Sequence, residues 1–412
     1  MLNKEFFENN RKKLFDAMEN ESLLLLFSGN APKKSLDEQY SFCVNRNFYY
    51  ETGINEANDI LLLTKVNNKE KAYLFISRND EVKAKWVGKT LSIQEAKDLS
   101  GIENIFYLDQ FEVLVDEYFA LVNTVYLDLE RQSFEDRLTK SEIFKEELEV
   151  VCPSIQVIDC YNIIAEHRMV KEECEVELIK KAIDITRLGI ESLMKNSKSN
   201  IFEYELEAEF DYTIKKNGAS GFAFKTIAAS GINGAVLHYS SNNSLIEDDS
   251  LILFDLGAEY ALYKADITRT FPANGKFTER QKQIYEIVLR GQDLIISNVK
   301  EGITLKELNN ILIDFYAEAL MGIELISSKE EVSKYYYHGV SHHLGLDTHD
   351  ASLRNAPLKK GAVITVEPGL YIEEEKIGIR IENDVLVTED GCIDLASDII
   401  KTVDEIEEFM KK

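Results

Sequence analysis

The chain has no C-x-x-C pair, no long apolar run and no glycine-rich phosphate loop, and each gap removes a class of function. Its five cysteines, Cys43, Cys152, Cys160, Cys174 and Cys392, are an odd number. That points to a reducing compartment and buried thiols rather than to bridges or a zinc site. The longest apolar run, residues 23–27, is far short of the roughly 18 residues a membrane span requires, so no transmembrane segment is expected. Residues 1–18 are charged throughout and lack the apolar core of a secretory signal, which makes a cytoplasmic protein the expectation. Neither G-x-G-x-x-G nor G-x-x-x-x-G-K-[ST] occurs, which leaves nucleotide binding without support. Positive charge is short as well. The 47 basic residues face 73 acidic ones, and the net charge of −26 repels phosphate backbones, so nucleic acid is not an expected partner. The acidity itself reads most simply as solubility. Short-period repeats, low-complexity segments and proline-rich linkers are missing too, which excludes solenoids.

What is present is a globular composition long enough for two domains: 412 residues, 45% hydrophobic and 29% charged. Residues 1–165 read as alternating helices and strands. Residues 6–18 have helical spacing, 22–28 form a β-type apolar run, 47–53 are aromatic and end at glycine, and 59–64 and 71–77 look like buried strands. A polar stretch at 166–173 then runs into the apolar face of a long amphipathic helix carrying Val176, Ile179, Ala182, Ile183 and Ile190. The domain boundary is placed there, giving 1–165 and 166–412. In the second part, helices expected at 202–216, 278–299 and 304–321 alternate with strands, and the candidate chemistry falls in the strands.

Three stretches carry it. In LILFDLGAEYALYKADITRTF two apolar strands flank a short turn near residues 259–262. A register centred between Tyr260 and Ala261 sets Asp255 directly opposite Asp266, and two like charges so placed destabilise a sheet unless a cation lies between them. The plain alternative is a solvated hairpin, which the apolar surroundings disfavour. YHGVSHHLGLDTHD holds His338, His342, His343 and His349, four of the six histidines. The spacing is not H-E-x-x-H, so a single-zinc protease is excluded, and Ser341 lacks the second glycine of a nucleophile elbow. GAVITVEPGLYIEEEKIGIRIENDVLV ends an apolar strand at Glu367 and sets Arg380 and Glu382 two apart on one strand face, where an ion pair between them is the plain alternative to a site. Four carboxylates with a single imidazole, and no cysteine in any of the three stretches, suit Mn2+ or a similar hard ion better than thiolate-preferring metals. The count fits two ions sharing bridging carboxylates.

LHYSSN, FDLGAEYALYKADITRTF, HGVSHHLGLDTHD, TVEPGLYI and GIRIEND stand in the order of the Xaa-Pro aminopeptidase (aminopeptidase P) and prolidase group of pita-bread metallopeptidases, which the chain resembles over nearly its whole length. FCVNRNFYYETGINE and SRNDEVKAKWVGKT carry a weaker likeness near the start. The resemblance implies an α/β N-terminal domain with a mixed sheet and helices, then an α+β pita-bread catalytic domain with a curved antiparallel sheet. It implies that Asp255 binds one metal, that Asp266 and Glu382 bridge two, and that His342 and Glu367 bind the second, the ions being Mn2+. It places His238, His338 and His349 beside the substrate and the scissile carbonyl, with Glu367 assisting proton transfer and Arg380 closing the proline side. Arg354 aligns with an arginine of the family in a segment shorter than in some relatives, and His343 is left as structural. The implied activity is hydrolysis, by a hydroxide activated between two metals, of the bond between an N-terminal residue and a following proline. The expected partner is a peptide with proline at the second position, and the expected assembly is a homodimer or homotetramer with Trp86 at a contact or in the core. A dipeptide-restricted prolidase shares the same centre. A metal-free creatinase-like amidinohydrolase and a non-catalytic domain that binds peptides or histones are both disfavoured, because all five ligand positions are filled.

Overall fold

The computed structural model describes residues 2–130, 135 and 137–411. The chain divides into two compact units, Leu2–His167 and the part from Arg168 onward. In the first unit β1 (Ser22–Phe27), β2 (Ile60–Val66), β3 (Lys69–Ile76), β4 (Asn104–Tyr107), β5 (Thr124–Leu127) and β6 (Gln156–Asp159) form one mixed sheet in the order β4-β3-β2-β1-β5-β6. β1, β2 and β3 are antiparallel neighbours, while β4, β5 and β6 join in parallel. The central strands SLLLLF and ILLLTKV are covered on both faces, which is why their leucines run on without alternating with polar residues.

The aromatic stretch at 47–53 is a helix, Arg46–Thr52. The Asn45 side chain accepts from Phe48 N at its start, and Gly53 closes it at φ 71°, a left-handed value that glycine adopts without strain. Trp86 lies in the helix Glu81–Val87, which buries none of its residues, and at 85% exposure it is no core tryptophan. The thiols are mixed in burial. Cys160 is buried as expected, but Cys43 and Cys174 are exposed, so the odd count holds without the burial. No helix among the described residues is long and apolar enough to cross a membrane.

The second unit carries the helices Glu173–Asn196, Glu203–Lys216, Glu279–Asn298 and Leu305–Gly322. Thr278 and Thr304 begin the last two with reciprocal caps to Gln281 and Glu307, which satisfies the first free N–H groups. Eleven short strands follow in chain order: β7 (Gly221–Phe222), β8 (Ile227–Ser230), β9 (Leu251–Leu256), β10 (Ala258–Tyr260), β11 (Tyr263–Lys264), β12 (Ile267–Pro272), β13 (Val363–Val366), β14 (Gly369–Ile372), β15 (Ile377–Arg380), β16 (Asn383–Val387) and β17 (Cys392–Asp394). They make four antiparallel sheets, ordered β11-β10-β7, β12-β9-β8, β13-β16-β17 and β14-β15.

The register about the central hairpin differs from the expected one. Its two-residue turn is Ala261–Leu262, both left-handed at φ 50° and 70°, with Tyr260 opposite Tyr263 and Asp255 opposite Thr268. Asp266 therefore sits just ahead of β12, diagonal to Asp255 rather than across from it, although both still face one cavity. Gly257 is what lets β9 break into β10. A Cβ there would lie 1.8 Å from the Ala265 carbonyl oxygen, so no other residue fits.

Candidate active site

The ends of these strands converge on a cavity of about 540 Å³. Asp255 comes from β9, Asp266 from the entry to β12, Glu367 from the exit of β13, Arg380 from the end of β15, and Glu382 from the two residues linking β15 to β16. His338, His342 and His349 reach the cavity from the segment before β13, and His238 reaches it from the segment after β8. One donor atom each from Asp266, His342 and Glu382 lie within 4.8 Å of one another. His342 Nε2 is 3.4 Å from Asp266 Oδ2 and 3.5 Å from Glu367 Oε1.

Several of these groups are held by partners outside the cluster. The His342 Nδ1 lies 3.0 Å from the His343 carbonyl oxygen, which keeps the proton of a neutral ring on Nδ1 and leaves the Nε2 lone pair facing the carboxylates. Thr268 Oγ1 donates to Glu382 Oε2 at 2.6 Å, and Thr365 Oγ1 to Glu367 Oε1 at 3.4 Å. Arg380 Nη2 donates to Asp255 Oδ2 at 2.5 Å, Nη1 to the Tyr371 hydroxyl at 2.9 Å, and Nε to Thr268 Oγ1 at 3.2 Å. The Tyr371 oxygen is in turn 2.8 Å from His338 Nε2. The side-by-side pairing of Arg380 with Glu382 does not form, because the guanidinium turns across the cavity to Asp255 while Glu382 takes its hydrogen bond from Thr268.

The electrostatics of this set are unfavourable as it stands. Burial first, then Asp255, Asp384 and Glu367, push the Asp266 carboxyl well above the carboxylate range. Glu382 moves the same way, through burial and then Asp266. Glu367 is raised by burial against the pull of His342 and Arg380. Burial, with Arg380 behind it, lowers His338 to about 4, and burial with His342 lowers His349 to about 4, so both rings are neutral at pH 7. Among the described residues the buried Asp255 Oδ1 has no hydrogen-bond partner. An unpartnered buried carboxylate oxygen beside mutually repelling carboxyls is costly unless a cation is shared among them, so the donor set fits divalent metal. Hard oxygen ligands with one imidazole and no sulfur are the chemistry such ions favour. Ser341 Oγ, also on this wall, has no partner among the described residues, and hence no base to activate it.

Residues 177–389 match the model of metallopeptidase family M24, and residues 7–126 match the aminopeptidase P N-terminal domain. The chain belongs to family M24. A curated M24 relative, the Xaa-Pro aminopeptidase of Haemophilus influenzae, is 32% identical over 99% of this chain and 98% of its own. A Bacillus anthracis structure described as a candidate aminopeptidase P is 47% identical with a TM-score of 0.97, covering 99% of this chain and 98% of that one. Aminopeptidase P from Escherichia coli, solved with the inhibitor Pro-Leu, is 30% identical with a TM-score of 0.92 at the same coverage. The fold is accordingly an α/β N-terminal domain followed by a pita-bread domain.

Within this M24 fold Asp255, Asp266, His342, Glu367 and Glu382 all line the cavity, as do His238, His338, His349 and Arg380. Arg354 does not, since it is exposed and absent from the lining. His343 is buried with burial holding it down to about 3, and its backbone bridges to Ile364, a packing position. Sequence reasoning missed Thr268, Thr365 and Tyr371, the uncharged hydroxyls that orient the charged groups, and Phe224, Ile227 and Leu237, the apolar wall. The only early signal for them was proximity: Thr268 lies two residues after Asp266, and Thr365 two before Glu367.

Proposed function

We propose that this protein is an Xaa-Pro aminopeptidase, a metallo-exopeptidase that hydrolyses the bond between an N-terminal residue and a following proline. The observation that carries the reading is the convergence of Asp255, Asp266, Glu367, Glu382 and the His342 imidazole on one cavity, with a buried Asp255 oxygen left unpartnered. The full-length likeness to Xaa-Pro aminopeptidases supplies the substrate. Asp255 would hold one ion, His342 and Glu367 a second, and Asp266 and Glu382 would be shared by both, with Mn2+ as the ion this oxygen-rich set favours. Two divalent ions bound there supply an activated water and the positive charge that favours a tetrahedral transition state.

The protein's own groups do the rest. Glu367 takes up a proton at its carboxylate and returns it to the departing proline nitrogen. His349 or His238, both on the cavity wall, donates a hydrogen bond to the developing oxyanion. The proline ring lies among His238, His338 and Arg380, with Tyr371 holding the last two in register. The free amine of the substrate faces the carboxylates. Residues 1–165 form the aminopeptidase P-like domain and 166–412 the catalytic one. The enzyme is cytoplasmic and a homodimer or homotetramer, a state that the exposed apolar Trp86 favours.

The test compares an Xaa-Pro dipeptide with an Xaa-Pro-Xaa tripeptide on Mn2+-loaded and metal-stripped protein. Faster, metal-dependent release from the tripeptide supports the aminopeptidase. Preference for the dipeptide makes the protein a prolidase, and no cleavage of either refutes the reading.

A further inference from the structure

Glu203 occupies the first turn of the helix Glu203–Lys216, a place where a glutamate ordinarily lies at the surface, yet it is fully buried. Its Oε1 accepts from Ser230 N and Ser230 Oγ, both at 2.7 Å, and from Asn233 Nδ2 at 3.0 Å. Its Oε2 accepts from the Tyr239 hydroxyl at 2.7 Å and from Ser244 N at 2.9 Å. Five donors meet one carboxylate, and all five belong to the segment 230–244.

That segment is one wall of the cavity, contributing Leu237, His238 and Ser240. Beyond the end of β8 it contains only the short 3-10 turn Gly231–Ala235, so no sheet ladder holds His238 in place. Side-chain and packing anchors replace the ladder. Asn242 Nδ2 donates to Glu207 Oε2, one helical turn beyond Glu203, at 2.9 Å. The Tyr337 hydroxyl donates to the Ala235 carbonyl at 2.6 Å. Gly234 lies flat on the backbone of Gly378, where a Cβ on Gly378 would fall 2.1 Å from the Gly234 carbonyl oxygen.

A buried carboxylate is tolerated only where donors compensate for its lost water, and bonds to a charged acceptor are worth about 1.5 to 3 kcal/mol each. All five donors here sit on one irregular segment, so any displacement of that segment strips several bonds from the buried group at once. The Tyr239 contact is the most direct, since that residue adjoins His238. We infer that Glu203 is a positioning residue for the substrate pocket: its carboxylate fixes the segment 230–244 and thereby sets His238 against the scissile bond. The inference rests on the Xaa-Pro aminopeptidase reading for its kinetic consequence, though not for its structural one.

The test uses the full-length, Mn2+-loaded protein and a matched Xaa-Pro-Xaa tripeptide, with the variants Glu203→Gln, Tyr239→Phe, His238→Ala and the double variant Glu203→Gln with His238→Ala. Small displacements of a positioned group cost up to about a hundredfold in rate. Glu203→Gln is therefore expected to lower kcat/KM by about tenfold or more with bound metal unchanged, and Tyr239→Phe to lower it by a few-fold. In the His238→Ala background, Glu203→Gln should add less than about twofold, because both act through the same ring. Imidazole 15N NMR of the six histidines, recorded with diamagnetic Zn2+ in place of Mn2+, supplies a readout independent of turnover: Glu203→Gln and Tyr239→Phe should move the His238 resonances and leave those of His343 in place. If Glu203→Gln does not fold, Tyr239→Phe carries both arms. Additive losses in the double variant, or His238 resonances that do not move, overturn the inference. Wild-type protein that cleaves no Xaa-Pro peptide overturns the proposed activity instead, and the NMR arm still decides the role of Glu203.

Discussion

Glu51 offers a stability prediction with a computable size. It lies in the helix Arg46–Thr52 of the N-terminal unit, is 0% exposed, and among the described residues neither of its carboxylate oxygens has a hydrogen-bond partner. Arg11 spends its guanidinium on the backbone carbonyls of Glu51 and Ser100 instead. Burial lifts the Glu51 carboxyl from 4.5 to about 8, against the weaker opposing pull of Arg11 and Lys13. Because the folded value lies above the unfolded one, the folded chain binds the extra proton between those limits, so stability is full below about 4.5 and declines as pH rises towards 8. Each pH unit in that window costs about 1.4 kcal/mol, which amounts to about 3 kcal/mol at pH 7 and under about 1 kcal/mol at pH 5. Glu51→Leu removes the ionisable group and adds apolar contact, so it should stabilise the N-terminal unit by about 2 to 4 kcal/mol at pH 7 and much less at pH 5. Urea titrations at both pH values, read by hydrogen exchange of peptides from β1 and β2, measure this difference. A gain that is the same at pH 5 and pH 7, or a loss at both, would refute the reasoning.

Three further outcomes concern the catalytic unit. Asp266→Ala or Glu382→Ala should lose bound metal and peptidase activity together, activity falling by about a thousandfold or more, as measured by elemental analysis beside tripeptide turnover; a variant keeping full activity rules out the ligand assignment. Tyr371→Phe removes the hydroxyl shared by Arg380 and His338, and kcat/KM should fall about tenfold with metal content intact, since only the orientation of two pocket groups is lost. Asp350→Asn leaves the buried Arg168 and Lys171 without their common counter-charge, and thermal or urea unfolding should show a loss of about 3 to 5 kcal/mol; an unchanged midpoint would mean that solvent reaches this group.

The sequence exposed the charged part of the site and hid the part that aims it. Asp255, Asp266, Glu367 and Glu382 were legible because an ionised group inside an apolar strand is an anomaly that demands a partner. The hairpin register was not legible, because the turn is made by Ala261 and Leu262 in left-handed backbone, where glycine or asparagine would have announced it. A turn misplaced by one position moves the ladder by two residues, so the two aspartates kept their face while losing their direct opposition. The partner of Arg380 was hidden for a different reason: spacing along one strand says nothing about a side chain that reaches across to β9. Arg354 was placed at the site by resemblance alone, and an exposed segment position is where such a transfer is least constrained. The helix at 47–53 was ambiguous as an aromatic run ended by glycine, a pattern that suits a strand end and a helix C-cap equally.

The hydrogen bonds around the cavity share one pattern. Asp255 gives Oδ2 to Arg380 and keeps Oδ1 unpartnered; Glu382 gives Oε2 to Thr268; His342 sets Nδ1 against a carbonyl and turns Nε2 inward. In each case a partner outside the cluster takes one atom and so fixes the direction of another, which is how a surrounding shell orients groups meant for a cation. The His342 partner is its chain neighbour, but the other two come from far away in sequence: Thr268 is 114 residues from Glu382, and Arg380 is 125 from Asp255. Such a shell cannot be assembled by one strand or one hairpin, and it forms only when the β12-β9-β8 and β14-β15 sheets are both in place. A variant that alters the shell and spares the charged residues, such as Tyr371→Phe, therefore separates the ability to hold metal from the ability to aim a substrate at it.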